Sequence, residues 1–406
     1  MFLKTSLIEN PQLLFLLNQK IDAIAECLES SSFENPSLMD GTTGEILFWA
    51  YYSSYKKSEE YKGKITTLLS NVFGVVKDGF KYPTFCGGLA GIGWTVEHLV
   101  QNSFIKADTD KIICSLDDFL YPYMMQYIRA GNYDYLHGAL GIGSYYINRI
   151  SNPKSAEYLT DLVNELDRQS TSIGSGIAWE RQLRPNSDLR GYNLSMSHGT
   201  AGIIAVLARL YEMGINQNKA SELIYGAVNF LLQNKYDTGY LYQFPAWIEK
   251  GQPTEKQGGR LAWCYYDMGI AIGLWQAGQI LGIEKWKNEA VEVLLHSTNI
   301  TDIKESGAHD AEICHGTVGI AHIYHRIYSY TNIPAFKNAA IYWFEQSIKQ
   351  ASFDDGLAGY KTFRTLEYGG WVNDYSFLNG IAGIGLAMIS AVSDIDPKWD
   401  RALLLS

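Results

Sequence analysis

Ser197-His198-Gly199-Thr200-Ala201-Gly202-Ile203 places two glycines three residues apart at the head of an apolar run. The run continues through Ile204, Ala205, Val206, Leu207, Ala208 and Leu210, apolar nearly all round, which is the mark of a buried helix. The same opening recurs as Gly41-Thr42-Thr43-Gly44, Gly88-Leu89-Ala90-Gly91-Ile92 and Gly138-Ala139-Leu140-Gly141-Ile142. It returns as Gly316-Thr317-Val318-Gly319-Ile320 and Gly380-Ile381-Ala382-Gly383-Ile384, and in degenerate form as Tyr266-Asp267-Met268-Gly269-Ile270. With the opening stretch, seven copies run from one end of the 406-residue chain to the other. A spacing of about 50 residues fits two helices plus their connections.

Between copies the pattern is amphipathic. Ile112, Ile113, Leu116, Phe119, Leu120 and Tyr123 recur near helical spacing over 110–125, with Lys111, Asp117 and Asp118 on the expected solvent side. Each repeat therefore reads as one buried and one half-exposed helix. Glycine at the start of the buried helix allows close backbone approach and a sharp turn. Such repeats either stack as an open solenoid or close into an α/α toroid. Neither end carries an obviously polar capping repeat, which favours closure. The expected fold is all-α, a toroid of seven inner and seven outer helices in a single domain over 1–406. Two gaps, 169–197 and 235–263, are rich in glycine and proline and read as long loops.

Composition narrows the class. Hydrophobic residues make up 47% and charged residues 19%, enough for a large core. Net charge is −10 and no basic run is present, so nucleic acid is not an expected partner. No apolar run approaches the roughly 18 residues of a membrane span. Leu13-Leu14-Phe15-Leu16-Leu17 follows Glu9 without a basic flank and reads as a first helix, not an export signal. The five cysteines are odd in number, which argues against a disulfide scaffold and for a cytoplasmic protein.

The chemistry gathers at repeat openings. Cys264 lies just before the fifth copy, and Cys314-His315 just before the sixth. Equivalent positions of neighbouring repeats should meet at one end of the helix ring, where two sulfurs and an imidazole suit zinc. Three protein ligands would leave a fourth position open, as in catalytic sites. Spacing alone leaves a second reading, two buried thiols acting as small apolar residues. His198 and His137 open the fourth and third repeats, and Asp134 precedes His137 by three. Imidazoles can move protons near neutral pH. Asp134 reads either as their carboxylate partner or as a helix-start cap. Arg260 reads as an oxyanion stabiliser or a surface ion pair. His322 and His325 read as ordinary helix residues, one packed and one solvated.

Taken together, Asp134, His198-Gly199-Thr200-Ala201-Gly202, Arg260-Leu261-Ala262-Trp263-Cys264-Tyr265, Cys314-His315-Gly316 and Trp399-Asp400-Arg401-Ala402-Leu403-Leu404-Leu405 resemble the lanthionine synthetase C-like cyclases. The resemblance covers nearly the whole chain. It implies a toroid of seven inner and seven outer helices, and zinc on Cys264, Cys314 and His315 with water in the fourth place. It implies His198 and Asp134 as acid–base residues, with Arg260 and Tyr265 nearby. The implied reaction adds cysteine thiols of a dehydrated, Ser/Thr/Cys-rich precursor peptide to dehydroalanine or dehydrobutyrine, forming thioether rings. The implied partners are that peptide, a dehydratase and an exporter, with the protein cytoplasmic or peripheral to the membrane through them. One departure stands out: the family usually has glycine two residues after the first metal cysteine, and this chain has Tyr266, which should crowd the mouth of the site. A small β-rich extra domain occurs in some relatives; only the two long gaps offer room for one. Rival readings are a glycosidase with Asp134 and Asp267 as its carboxylates, a prenyl-type transferase, and a non-catalytic zinc, glutathione or peptide binder.

Overall fold

The computed structural model describes residues 6–183, 188–237, 239–252 and 258–406. Among these, the long helices are α1 (Pro11–Glu29), α2 (Thr42–Lys56), α3 (Lys62–Lys77), α4 (Leu89–Gln101), α5 (Cys114–Arg129), α6 (Ala139–Asn148) and α7 (Pro153–Gln169). They continue as α8 (Thr200–Glu212), α9 (Gln217–Gln233), α10 (Tyr266–Leu281), α11 (Glu284–Ser297), α12 (Thr317–Thr331), α13 (Pro334–Gln350) and α14 (Ile381–Val392). The even-numbered helices follow the glycine openings. In α8 every residue from Thr200 to Ala208 is buried. The odd-numbered helices bury one stripe, as α1 does with Leu13, Leu17, Ile21, Ile24 and Leu28.

The chain packs as two compact units. The first comprises 1–81, 99–106 and 301–405. In it α14 packs on both α12 and α2, so the last buried helix lies against the first. The N-terminal segment seals that contact, with the Leu7 N–H donating to the Ala391 carbonyl at 2.9 Å. Contact between the last and first repeats is what a closed ring requires and an open stack forbids. The second unit comprises 82–98, 107–300 and Ser406, with α8 packed between α6 and α10.

The second glycine of each opening is fixed by contact, not by conformation. A Cβ at Gly44, Gly141, Gly202, Gly319 or Gly383 would sit 1.9–2.3 Å from the carbonyl oxygen of the residue six positions earlier. Glycine costs a helix about 1 kcal/mol relative to alanine. Backbone overlap at such distances costs more, so packing decides the residue.

The preceding turn is also repeated. Asn35, Asn132, Asn193, Asp310 and Asp374 each accept, through the side chain, the N–H two residues on, at 2.8–3.4 Å. These are Asx-turns that fold the chain back before the helix starts. Arg260 holds the same register in the fifth repeat. Neighbouring turns are stitched by backbone hydrogen bonds. In the second unit Cys86 N donates to Leu136 O (2.9 Å), Tyr135 N to Ser197 O (3.2 Å) and Ser197 N to Cys264 O (3.3 Å). In the first, Cys314 N donates to Leu378 O (3.3 Å) and Leu378 N to Met39 O (3.0 Å).

Both long gaps carry strands. The first gap holds β1 (Thr171–Ile173), β2 (Gly176–Ala178), β3 (Glu180–Gln182) and β4 (Arg190–Asn193), and the second holds β5 (Trp247–Glu249). β3, β4 and β5 form one antiparallel sheet, so the two gaps pair with each other. Pro185, Asn186, Ser187 and Pro253, which mark the gaps in the sequence, lie outside the described residues. A separate hairpin, β6 (Thr362–Phe363) and β7 (Trp371–Val372), precedes α14.

One amphipathic assignment needs correction. Helix α5 begins at Cys114, after a break at Ile113, and Asp117 is buried on it, not solvated. Arg149, fully buried at the end of α6, donates to Asp117 at 2.8 and 3.3 Å, and Tyr145 donates to it at 2.6 Å. Sequence periodicity cannot see a partner supplied from another helix.

Candidate functional site

The repeat register aligns the candidate residues. His137, His198 and His315 stand immediately before the first glycine of their openings, and Tyr265 stands immediately before Tyr266. Cys264 and Cys314 stand one residue earlier. Within the second unit, the rings at the first of these positions follow one another. His137 stacks near His198 with centroids 6.2 Å apart, and His198 lies 5.6 Å from Tyr265.

Asp134 caps the turn ahead of α6 rather than the helix start, which Gly138 caps, and it also reaches His198. Its Oδ1 accepts the N–H groups of Leu136 and His137, each at 2.9 Å, which caps the turn. Its Oδ2 lies 2.7 Å from His198 Nδ1. Burial works to raise the Asp134 carboxyl, but the hydrogen bond and charge of His198, with the Arg181 charge, hold it well below the usual carboxylate range. A carboxylate ionised at neutral pH can only accept, so His198 donates from Nδ1. That leaves Nε2 as the nitrogen that exchanges protons. His198 is one-fifth exposed, whereas Asp134 is buried.

Arg181, on β3, was not legible as a site residue. Its Nη1 donates to Asp134 Oδ2 at 3.1 Å and to the His198 carbonyl at 2.6 Å. Arg260 is half-buried. Tyr265 is largely buried and its phenol is pushed up to about 12 by burial first and by Cys264 second, against a hydrogen bond with Asn193.

Cys264 and Cys314 are buried and His315 is partly exposed. One ligand atom from each of the three lies within 4.8 Å of the others. It is the one group of three or more such side chains placed to hold a metal among the described residues. His315 Nδ1 lies 2.7 Å from Glu312 Oε1, and Asn379 donates to Glu312 Oε2 at 2.6 Å. A carboxylate beside a histidine is the usual outer support of a metal-ligating imidazole. Two thiols, one imidazole and that support suit zinc. All five cysteines are free thiols.

Tyr266 is accommodated by a change of backbone. Gly41, Gly138 and Gly199, in the equivalent register, are extended, with φ between −138° and −149°. A Cβ on any of them would come within 2.1–2.4 Å of the preceding turn. Tyr266 instead takes φ +65°, a left-handed conformation that a bulky residue rarely adopts. Its ring centroid lies 6.2 Å from that of Tyr265 and 6.0 Å from that of Tyr242. Burial raises its phenol, with the Arg260 charge opposing and Cys264 adding.

Asp267 is fully buried, and its two oxygens accept the N–H groups of Gln243 and Phe244 at 2.9–3.0 Å. It ties the second gap to α10. His322 and His325, of which one was expected in solvent, are both buried, His322 against Asp400.

No curated protein sequence matches this chain. Among solved structures, nisin cyclase is similar over 96% of this chain and 96% of its own, with a TM-score of 0.76 at 20% identity. That likeness establishes the fold, the α/α toroid expected from the repeats. A sugar epimerase from a ruminal bacterium (TM-score 0.45, 12% identity, 93% of this chain and 98% of that one) is more distant. So is an α-mannanase of Bacteroides thetaiotaomicron (TM-score 0.47, 12% identity, 97% and 98%). The family described as lanthionine synthetase C-like protein matches over residues 32–404. With its seven glycine openings, its helical fold and its Cys/Cys/His group, the chain belongs to the lanthionine synthetase C-like family.

Proposed function

We propose that this protein is a zinc-dependent lanthipeptide cyclase. The observation that carries the reading is the convergence of Cys264, Cys314 and His315 in a member of this family. Zinc held by these three would supply one thing, a lowered pKa for a cysteine thiol of the substrate brought to its open position.

The protein's own residues account for the rest. The substrate sulfur adds to the β-carbon of a dehydroalanine or dehydrobutyrine, and the electron pair moves to the α-carbon and amide oxygen as an enolate. Arg260 places positive charge for that oxygen. His198 Nε2 delivers a proton to the α-carbon, while Asp134 fixes the tautomer through Nδ1. Tyr265 and Tyr266 border the site and limit what enters. The product is a thioether ring, and no redox or nucleotide cofactor is consumed. The partners in this reading are a dehydrated Ser/Thr/Cys-rich precursor peptide, with a dehydratase and an exporter in the same assembly, in or at the membrane face of the cytoplasm. Among the described residues no helix is long and apolar enough to cross a membrane.

The purified chain should hold about one zinc. Cys264→Ala should lose it with helical content unchanged, and with it the cyclisation of a dehydrated peptide, read by mass spectrometry after thiol capping. Zinc-free fresh protein would sink the metal assignment. Zinc-replete protein that leaves every dehydrated test peptide uncyclised would favour a non-catalytic binder.

A further inference from the structure

We propose that Arg181 is a positioning residue that fixes the Asp134 carboxylate and makes His198 a readier proton donor. The inference rests on the reading of His198 as the acid of the reaction. Arg181 comes from outside the repeat, on β3 of the sheet that joins the two gaps. Its neighbour Glu180 anchors that strand, accepting from Arg190 Nε at 2.5 Å and from Lys250 Nζ at 2.6 Å. Successive residues of a strand face opposite ways. Arg181 therefore points away from those surface pairs and lies over the Tyr133 ring, 5.6 Å from its centroid.

From there one nitrogen, Nη1, reaches both Asp134 Oδ2 (3.1 Å) and the His198 carbonyl (2.6 Å). Oδ2 is the oxygen that His198 Nδ1 also uses, at 2.7 Å. Two effects follow. The carboxylate is held at both oxygens, Oδ2 by Arg181 and Oδ1 by Leu136 N and His137 N, so it cannot rotate away from the imidazole. A permanent positive charge also sits across the shared oxygen from the imidazole, so the imidazolium is less favoured than Asp134 alone would make it. The His137 ring and the Tyr265 phenol also face His198, neither with a permanent charge. Among the described residues Arg181 brings a fixed charge that offsets Asp134. Arginine suits the place because its guanidinium stays charged and lies over the Tyr133 ring while Nη1 meets both acceptors.

The test is an NMR titration of the zinc-loaded full chain with ring-labelled histidine, the His198 signal being assigned by its loss in His198→Asn. Arg181→Gln should raise the His198 midpoint by about half a unit or more. Arg181→Lys keeps the charge but loses the planar group over Tyr133 that aims it; its midpoint should stay near that of the parent while kcat falls several-fold with KM little changed. For a general acid, activity falls as pH rises through its pKa, so the alkaline limb of the kcat profile in Arg181→Gln should move upward with the midpoint. A folded Arg181→Gln protein with an unmoved His198 midpoint overturns the proposal. So does a Lys variant that behaves like Gln in the titration, which also serves if the Gln variant does not fold. If the midpoint moves as expected but the parent closes no rings, the cyclase reading fails and the coupling of Arg181 to His198 stands.

Discussion

Two histidines in this molecule rest on a carboxylate oxygen that an arginine also claims, and their surroundings differ. In the second unit His198 Nδ1 lies 2.7 Å from Asp134 Oδ2, with Arg181 at 3.1 Å from the same atom. In the first, His322 Nε2 lies 2.9 Å from Asp400 Oδ2, with Arg326 Nε at 2.8 Å. The chemistry is nearly the same, but access is not. His198 is 21% exposed, whereas His322, Asp400 and Arg326 are 1%, 0% and 4% exposed. The sealed trio also stacks against Trp399, 4.6 Å from His322, and has His325 beside it. Burial depresses the His322 pKa in spite of Asp400. A histidine that cannot meet solvent or substrate has no proton to trade. The same three residue types can therefore serve proton transfer where one ring nitrogen can be reached, and only a structural lock where none can.

The sharpest way to break this comparison is to remove one member of each trio. His198→Asn should keep zinc and fold and lose about 10²–10⁴-fold in ring closure, the usual worth of general acid catalysis. Mass spectrometry of a capped, dehydrated peptide reads the loss, and near-normal closure would shift the acid role to His137. On the sealed side, Asp400→Ala leaves Arg326 buried without its partner. Breaking a buried pair typically costs about 3–5 kcal/mol. Urea denaturation should show that loss, with little change in kcat per folded molecule. A stability change like that of a surface substitution would mean the trio is not a lock.

A smaller effect should separate the pairs by acid. The His325 pKa is lowered to about 3, chiefly by burial and then by the His322 and Arg326 charges, against an unfolded value near about 6.5. A group depressed in the folded state contributes stability that is present above the unfolded pKa and lost as pH falls toward the folded one. His325 alone should therefore cost the fold about 2 kcal/mol between pH 7.5 and pH 5. His325→Leu should lose less stability than the parent over that interval, as read by urea midpoints at the two pH values. An identical loss in both proteins would show that His325 takes its proton without unfolding.

Much of this was legible in the sequence because the repeat is legible. The glycine openings predicted the buried helices, and the register placed Cys264 beside the cysteine and histidine of the next opening. What escaped came from outside the repeat. Arg181 sits on a three-residue strand of a sheet whose strands come from two gaps far apart in sequence. No period announces such a sheet. Glu312 lies within an opening, but its role depends on facing His315, which spacing alone does not fix. Asp117 and the His322–His325 pair, one of which was expected in solvent, were misread for a common reason: helical periodicity treats a polar residue as solvent-facing. Arg149 in one case, and complete enclosure in the other, overrides that rule.

The stitching of the turns has a further consequence. The links Cys86–Leu136, Cys314–Leu378 and Leu378–Met39 use main-chain atoms. They make no demand on the side chain that follows, and glycine, histidine, tyrosine, asparagine and aspartate all occupy that next position in one repeat or another. The rim behaves as a row of interchangeable sockets. A lineage built on it can trade one reagent for another, a single substitution at a time, and keep the scaffold that holds it.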